Sequence, residues 1–289
     1  MEYKIATALA PGTCGEFVQG SIDGKDFLVT CPIDLWSKFS IFYTDHIEHA
    51  QHHKIFSKAA KAIQMAYEKK TTDSKIDFTR ESDLPIGKGM GSSTSDIVAA
   101  YAATCKLLDV NINEDEIANV ALAIEPSDGI MYPGISLFDY RKGLWRESLG
   151  NAPPLNVVII DPGGEVDTLE FDSRKDLQIL NEKKEQEIIK ALAYVREGIT
   201  EKDPEKIGRG ATISAIANQE TLFKPQLEDI IKLSKQFRAM GVSVAHSGTV
   251  IGILLSEIGP HVVEAAGYTQ KKFSQCKIYT SKVISGGIG

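Results

Sequence analysis

Apolar residues follow two different periods along this chain, and together the two periods predict a mixed α+β protein. Stretches rich in β-branched and aromatic residues, often at every second position, predict strands. In chain order these strands cover residues 3–9, 27–31, 37–43, 75–79, 135–140, 143–148, 155–160, 242–246, 250–255 and 277–280. Apolar residues at helical spacing predict helices over residues 54–69, 97–108, 113–124, 174–197, 204–218, 225–240 and 260–266. The first strand is expected to stop at the Ala-Pro-Gly turn of residues 10–12.

A turn-rich segment with a proline pair, residues 151–154, is the best candidate for a domain boundary. It divides the chain into residues 1–152 and 153–289, and a length of 289 residues suits about two domains. Strands and helices alternate in the second part, which indicates an α+β sandwich.

A glycine-rich loop leads into the helix at 97–108. Residues 84–96 read LPIGKGMGSSTSD, with glycines at alternate positions followed by a run of hydroxyl residues. Glycine permits positive φ and a close approach of the backbone to a ligand. The first turn of a helix has unpaired N–H groups and a partial positive charge. Together these features predict an anion site, most often for phosphate; the alternative is a glycine-rich turn capped by Ser92 or Ser93.

Two better-known phosphate motifs do not fit this loop. In a P-loop the lysine is followed by Ser or Thr, but here Lys88 is followed by Gly89, and Ser82 stands where the first glycine belongs. A dinucleotide-binding loop follows a buried strand, and residues 81–85 do not have that character.

Residues 85–94, PIGKGMGSST, resemble the phosphate loop of the GHMP kinases, which include galactokinase, homoserine kinase and mevalonate kinase. In that loop a proline is followed by three variable residues, a glycine, an apolar residue, a glycine or serine, and two serines. The resemblance implies nucleotide binding by these residues: Pro85, Gly87, Lys88, Gly89, Met90, Gly91, Ser92, Ser93 and Thr94.

Two further segments resemble the other motifs of this family, and they occur in the family's order. Residues 10–16, APGTCGE, resemble the first motif, and residues 245–249, AHSGT, resemble the third motif more loosely. Taken alone, the first segment also fits a β-turn and an edge strand, and the second also fits a tight hairpin turn with Gly248 at positive φ. The resemblance implies a two-domain α+β fold: an N-terminal ribosomal-S5-like domain that binds ATP, and a C-terminal ferredoxin-like α/β sandwich that completes the acceptor site.

The chemistry that this resemblance implies is transfer of the γ-phosphoryl group of ATP to an alcohol, with ATP and Mg²⁺ required. By resemblance, Ser93 and Glu125 bind the metal, and Asp128 acts as the base or orients the acceptor hydroxyl. Lys88 is expected either to contact the phosphates or to be solvated. Glu125 and Asp128 also suit a helix end and the turn after it, although a carboxylate at a helix C-terminus is electrostatically unfavourable.

The first motif and the strand after it resemble one branch of the family in particular. Residues 13–20, TCGEFVQG, and 30–34, TCPID, are similar to the bacterial branch that phosphorylates L-threonine for cobalamin synthesis, whereas Phe17 departs from the Gly-Glu-His triplet of other branches. The resemblance implies L-threonine as the acceptor and O-phospho-L-threonine as the product. Free threonine requires a carboxylate for its ammonium and a donor for its carboxylate. The candidate substrate-binding residues are Glu16, Gln19, Asp34, His246, Ser247 and Gly248.

Three other functions stay open on the sequence. The chain could be a kinase of the same family for another small alcohol, such as homoserine or a sugar. It could be a nucleotide-binding regulator on the same fold that has lost catalysis, although Ser93, Glu125 and Asp128 count against this. It could be a protein-interaction module, against which the glycine loop counts.

Charge and composition restrict the partners. A net charge of −7 argues against binding to nucleic acid or to an anionic membrane. No stretch approaches the ~18 apolar residues that span a bilayer, and the first residues lack the apolar core of a signal peptide. The four cysteines are scattered without a CxxC pair, which fits a reducing cytoplasm, so a cytoplasmic location is expected. A monomer and a homodimer both agree with the sequence.

A cluster of histidines at His46, His49, His52 and His53 suggests a metal site. No cysteine lies nearby, and the neighbouring carboxylates do not complete a recognisable ligand spacing. A solvated loop that leads into a helix is therefore the favoured interpretation.

Overall fold

Strands from both halves of the chain form one antiparallel sheet in a computed structural model, which describes residues 4–44, 56–70, 75–258 and 262–289. The strands are β1 (Ile5–Ile22), β2 (Lys25–Thr44), β3 (Lys75–Ser82), β4 (Ile135–Phe138), β5 (Arg146–Gly150), β6 (Leu155–Asp161), β7 (Gly241–Val244), β8 (Ile251–Ser256) and β9 (Lys277–Lys282). Their order across the described sheet is β5-β4-β2-β1-β7-β8-β6-β9, and β3 pairs with the second half of β2. Neighbouring strands with a defined register are antiparallel.

Helices cover the sheet and connect its strands. They are α1 (Ser57–Tyr67), α2 (Ser92–Leu107), α3 (Glu114–Ile124), α4 (Thr168–Asp172), α5 (Leu177–Glu201), α6 (Pro204–Ala217), α7 (Leu227–Gln236) and α8 (Val262–Lys272). Residues of α2 are buried almost all round, because the helix packs between the long β1–β2 hairpin and helices α1 and α3. Most predicted elements are present to within about six residues. The exceptions are β1 and β2, which are longer than predicted, and α4, which was not predicted. The four clustered histidines lie outside the described residues.

The first two strands are longer than the sequence predicts. β1 continues through the Pro11–Gly12 turn to Ile22, because the register against β2 shifts there instead of breaking: Pro11 pairs with Trp36 and Gly12 with Ile33. Proline and glycine are tolerated in a strand at such a bulge. The two strands predicted at 27–31 and 37–43 are therefore one continuous strand.

The hydrophobic core joins residues from both sides of the predicted domain boundary. One cluster brings Phe17 and Val29 together with Ile188 and Val195, and β1 pairs with β7 at Glu16 and Val244. The division at residue 152 stays a prediction. Of the described helices, none is both long enough and apolar enough to cross a membrane.

Candidate active site

The glycine loop connects β3 to α2, and its three glycines have backbone angles that other residues rarely adopt. The φ angles are 75° at Gly87, 77° at Gly89 and 66° at Gly91. A β-carbon on Gly89 would also lie only 2.5 Å from Ala245 Cβ. Glycine is therefore required at Gly89 both for conformation and for space.

Helix α2 begins at this loop with its first N–H groups uncapped. Gly91 is the N-cap residue, and no side chain within the described residues caps the helix. Ser92 and Ser93 do not fill the capping role, so the alternative of a serine-capped turn is wrong. Ser95 Oγ instead donates to the Pro11 carbonyl (2.7 Å) and to the Gly91 carbonyl (2.8 Å). This leaves the positive end of α2 available to an anion.

A cavity of about 680 Å³ lies in front of this helix end. Its walls are the glycine loop, the start of α2, the loop after α3, and residues 165–172. The predicted site residues on its wall are Glu16, Gly87, Gly89, Met90, Gly91, Ser92, Ser93, Thr94, Glu125, Asp128, His246 and Ser247. The predicted site residues that do not line it are Pro85, Lys88, Gln19, Asp34 and Gly248.

Lys88 ties the glycine loop to its neighbours instead of pointing into the cavity. Its Nζ donates to the Gly164 carbonyl (2.6 Å) and lies 3.8 Å from Glu165 Oε1. Its carbonyl accepts the backbone N–H groups of Thr249 (3.0 Å) and Val250 (3.3 Å). The loop is thus held from two sides at Lys88.

Gly248 lies against the glycine loop. It does not have a positive φ, so the alternative of a tight hairpin turn with Gly248 at positive φ is wrong. A β-carbon on Gly248 would lie 2.3 Å from Gly89 Cα and 2.6 Å from the Lys88 carbonyl oxygen. Glycine is needed here because the two backbones touch.

Asp34 is not brought to the site. It is exposed, and its Oδ1 accepts from Trp36 Nε1 at 2.7 Å. The register shift between β1 and β2 leaves Asp34 and Leu35 unpaired, and this bulge turns Asp34 away from the cavity.

Gln19 is buried behind the cavity wall. Its Nε2 donates to the Val244 carbonyl (3.0 Å), and its Oε1 faces His246 Nδ1 at 2.9 Å. Gln19 therefore orients His246 and does not itself line the cavity.

Ser93 and Glu125 meet at the start of α2. Glu125 is buried at the C-cap of α3, where the chain turns extended before Pro126. Ser93 Oγ donates to Glu125 Oε1, and Lys58 Nζ from α1 donates to Glu125 Oε2. The hydroxyl and carboxylate oxygens are the donor types that Mg²⁺ prefers, so this pair fits a magnesium ion. Lys58 was not predicted as a site residue, because it lies in an ordinary amphipathic helix.

Asp128 lies beside the glycine loop in a strongly negative environment. A β-carbon on Gly91 would lie 3.1 Å from Asp128 Oδ2. Burial, with the charges of Glu125 and Asp172, raises the pKa of Asp128 to about 7. Burial and the charge of Asp128 likewise raise the pKa of Glu16 well above its usual range. A carboxylate whose pKa is close to neutral suits proton transfer at neutral pH.

One wall of the cavity was not predicted from the sequence. Residues 165–172 contribute Asp172, whose side chain is 7% exposed and whose Oδ1 lies 3.6 Å from His246 Nε2. Tyr140 also lines the cavity, and its ring lies edge-on to that of His246, with centroids 4.7 Å apart. No motif surrounds Asp172, so its role depends on packing that a local pattern does not reveal.

The arrangement suits transfer of a phosphoryl group to a small molecule. The loop and the start of α2 can hold phosphate groups, and Asp128 faces whatever is bound beside them.

Comparison with known proteins agrees with this class. Residues 54–136 match the family model for the GHMP kinases N terminal domain. The fold is shared with the homoserine kinase from Cytophaga hutchinsonii, with a TM-score of 0.75 and 19% identity over 100% of this chain and 98% of that chain. The predicted resemblance to the GHMP kinases is therefore confirmed, and so is the α+β fold class.

Two relatives extend the similarity along nearly the whole chain. The chain is 28% identical to the L-threonine kinase of Salmonella typhimurium over 292 residues, covering 99% of this chain and 95% of that protein. It is 28% identical to the L-threonine kinase of Citrobacter freundii over 297 residues, covering 98% and 99%. Together with the family-model match, these relatives indicate a phosphotransferase that acts on an alcohol.

Proposed function

We propose that the chain transfers the γ-phosphoryl group of ATP to the hydroxyl of L-threonine, forming O-phospho-L-threonine for cobalamin synthesis. One observation supports this reaction above all. Asp128 lies beside Gly91 at the uncapped start of α2, and both residues line the same cavity. The choice of L-threonine rests on the two relatives that are similar over almost their full length.

The glycine loop is the proposed site for the phosphates of ATP. The uncapped N–H groups at residues 92–94 and the positive end of α2 favour bound negative charge. Lys88 and Gly248 keep the loop in this shape from behind. Because phosphoryl transfer has a loose transition state, positioning and charge neutralisation account for most of its catalysis.

Ser93 and Glu125 are the proposed ligands of Mg²⁺. Mg²⁺ bound with ATP neutralises negative charge that develops on the phosphates. Lys58 donates to the same carboxylate as Ser93, so it orients Glu125 within the buried wall.

Asp128 is the proposed base. It accepts the proton of the acceptor hydroxyl, or orients that hydroxyl toward the γ-phosphate by accepting a hydrogen bond. A group in this role typically contributes a factor of about 10²–10⁴ to the rate.

The experiment is a coupled assay of ATP consumption with Mg²⁺ and five alcohols: L-threonine, L-serine, L-homoserine, mevalonate and galactose. We expect turnover with L-threonine, and its loss in Ser93→Ala and Asp128→Asn. Asp176→Asn, an exposed change outside the cavity, is the matched control. Preference for another alcohol would overturn the threonine assignment, and ATP binding without any turnover would support the regulator instead.

A further inference from the structure

Three buried polar atoms on the cavity wall lack a partner. Glu16 Oε2, Asp172 Oδ2 and His246 Nε2 are covered from solvent, and none has a hydrogen-bond partner within the described part of the chain. All three side chains line the cavity that Asp128 also lines. A buried polar atom without a partner costs free energy, so the missing partner is expected to come from a bound molecule.

The hydrogen-bond network makes His246 Nε2 an acceptor. Because Gln19 Nε2 donates to the Val244 carbonyl (3.0 Å), Gln19 Oε1 is the atom that faces His246 Nδ1. The proton of the imidazole therefore lies on Nδ1. Burial lowers the pKa of His246, which favours the neutral ring with a lone pair on Nε2.

Acceptor atoms and carboxyl groups thus dominate this wall, and their crowding disfavours negative charge on Glu16 until a cation binds. The charge of Asp172 acts on Asp128, and that of Asp128 acts on Glu16. The complementary ligand is a small cation with several donors, which describes a primary ammonium group. A metal ion is the competing ligand, but no group of three or more His, Cys, Asp or Glu side chains among the described residues could hold one.

We propose that Glu16, Asp172 and His246 bind the primary ammonium group of the acceptor, so that the enzyme requires a free amino group on the alcohol it phosphorylates. This inference rests on the proposed function, because it concerns the acceptor of that reaction. The terminal torsions of carboxylates are soft, so Glu16 Oε2 and Asp172 Oδ2 can turn toward a ligand in the cavity.

Arg141 and Tyr140 are the positioning residues of this pocket. Arg141 Nη2 donates to the Asp172 carbonyl (2.9 Å) and to Asp172 Oδ1 (3.3 Å), and the Tyr140 hydroxyl donates to the same Oδ1 (3.4 Å). These contacts hold the carboxylate by one oxygen and leave Oδ2 for a ligand. Arg141 Nε also lies 3.3 Å from Asp26 Oδ2, so the charge of Arg141 neutralises Asp172 only in part.

The test compares two ligands that differ only in the amino group. Binding of L-threonine and of the matching enantiomer of 3-hydroxybutyrate is measured by calorimetry, with Mg²⁺ and a non-hydrolysable ATP analogue present. We expect the wild-type chain to bind L-threonine at least about 100-fold more tightly than the analogue. Asp172→Asn and Glu16→Gln should each reduce this preference by about 10-fold or more, mainly by weakening L-threonine binding.

Two further variants separate charge recognition from damage to the fold. Asp172→Glu keeps the charge and should retain part of the preference, whereas Asp176→Asn, the same substitution on an exposed side chain paired with Arg174 (2.7 Å), should retain all of it. Affinity for the ATP analogue reports folding in every variant, because none of these side chains belongs to the glycine loop.

The outcomes distinguish failure of this inference from failure of the proposed function. If the wild-type chain phosphorylates L-threonine but Asp172→Asn and Glu16→Gln keep the preference, the ammonium pocket is wrong and the function stands. If L-serine or L-homoserine is the better acceptor, the threonine assignment fails and the same comparison is made with that acceptor and its deamino analogue. Preference for mevalonate or galactose, or equal binding of both ligands by the wild-type chain, overturns the ammonium pocket directly.

Discussion

Gly248 and Gly89 lie back to back, so closely that a β-carbon on Gly248 would be 2.3 Å from Gly89 Cα. This contact joins the turn after β7 to the glycine loop, two segments separated by more than half of the chain. The shape of the proposed phosphate site therefore depends on a glycine that does not itself line the cavity.

Gly248→Ala is expected to weaken ATP binding. The new methyl group must displace the backbone at Gly89, and overpacking of this kind typically costs about 1–3 kcal/mol. We expect the KM for ATP to rise about 10-fold or more, with a smaller change in the KM for the acceptor. Steady-state kinetics at varied ATP measures this.

The matched control for that substitution is Gly267→Ala in α8. A β-carbon there would meet nothing within 4 Å, and alanine is favoured over glycine in a helix by about 0.5–1 kcal/mol. The control should leave the KM for ATP unchanged and slightly raise the free energy of unfolding. An unchanged KM in both variants would mean that the turn does not shape the loop.

The raised pKa of Asp128 predicts how the reaction rate falls on the acid side of the pH–rate profile. Its pKa is raised to about 7, and only the deprotonated carboxylate can accept a proton. The value of kcat/KM for the acceptor should therefore rise with pH through about 7 and fall below it, since kcat/KM reports the free enzyme. Asp128→Asn should lower kcat by about 10²–10⁴-fold and abolish this rise of kcat/KM with pH. If the same pH dependence persists in Asp128→Asn, the titrating group is not Asp128. Glu16, Glu125 and Asp172 are the other carboxyl groups at this site.

The parts of the site that the sequence predicts are those that depend on neighbours in the chain. The glycine loop is defined by residues within a few positions of each other, and glycine at Gly87, Gly89 and Gly91 already implies the unusual backbone that is observed. Glu125 and Asp128 were singled out by the resemblance to the GHMP kinases, and the helix end next to a proline predicts only where they lie. Local rules of backbone conformation suffice for the loop and for these positions, but not for the roles of the two carboxylates.

The parts that the sequence missed or misplaced depend on long-range packing. Asp34 was expected at the site, but a bulge set by pairing between two strands turns it outward. Asp172 was not noticed, because its place opposite His246 results from the packing of α4 against Tyr140 and Arg141. Side-chain direction across a register shift cannot be derived from spacing alone.

Glu125→Gln is expected to raise the Mg²⁺ concentration that the enzyme requires. The substitution replaces a carboxylate oxygen with a weaker neutral donor and leaves Lys58 without its ion pair. We expect the half-saturating concentration of Mg²⁺ to rise by at least about 10-fold, as measured by activity at fixed ATP and varied Mg²⁺. Glu114→Gln, at the exposed start of the same helix, is the control and should not change it. Equal Mg²⁺ dependence in wild type and Glu125→Gln would exclude Glu125 as a ligand.

Burial of the Lys224 side chain predicts that the stability of the folded chain changes with pH. Its Nζ donates to the Gly248 carbonyl (2.8 Å), and burial lowers its pKa to about 8, below the value of about 10.4 in an unfolded chain. Between these two values the unfolded chain binds more protons than the folded one, so stability rises with pH. The free energy of unfolding of the wild type, measured relative to Lys224→Met by urea titration, should therefore increase by about 1 kcal/mol or more from about pH 8 to about pH 10. Lys232→Met, which removes an exposed lysine paired with Glu228, should show no such increase. A difference between wild type and Lys224→Met that stays constant over this range would mean that Lys224 titrates at its ordinary pKa in the folded chain.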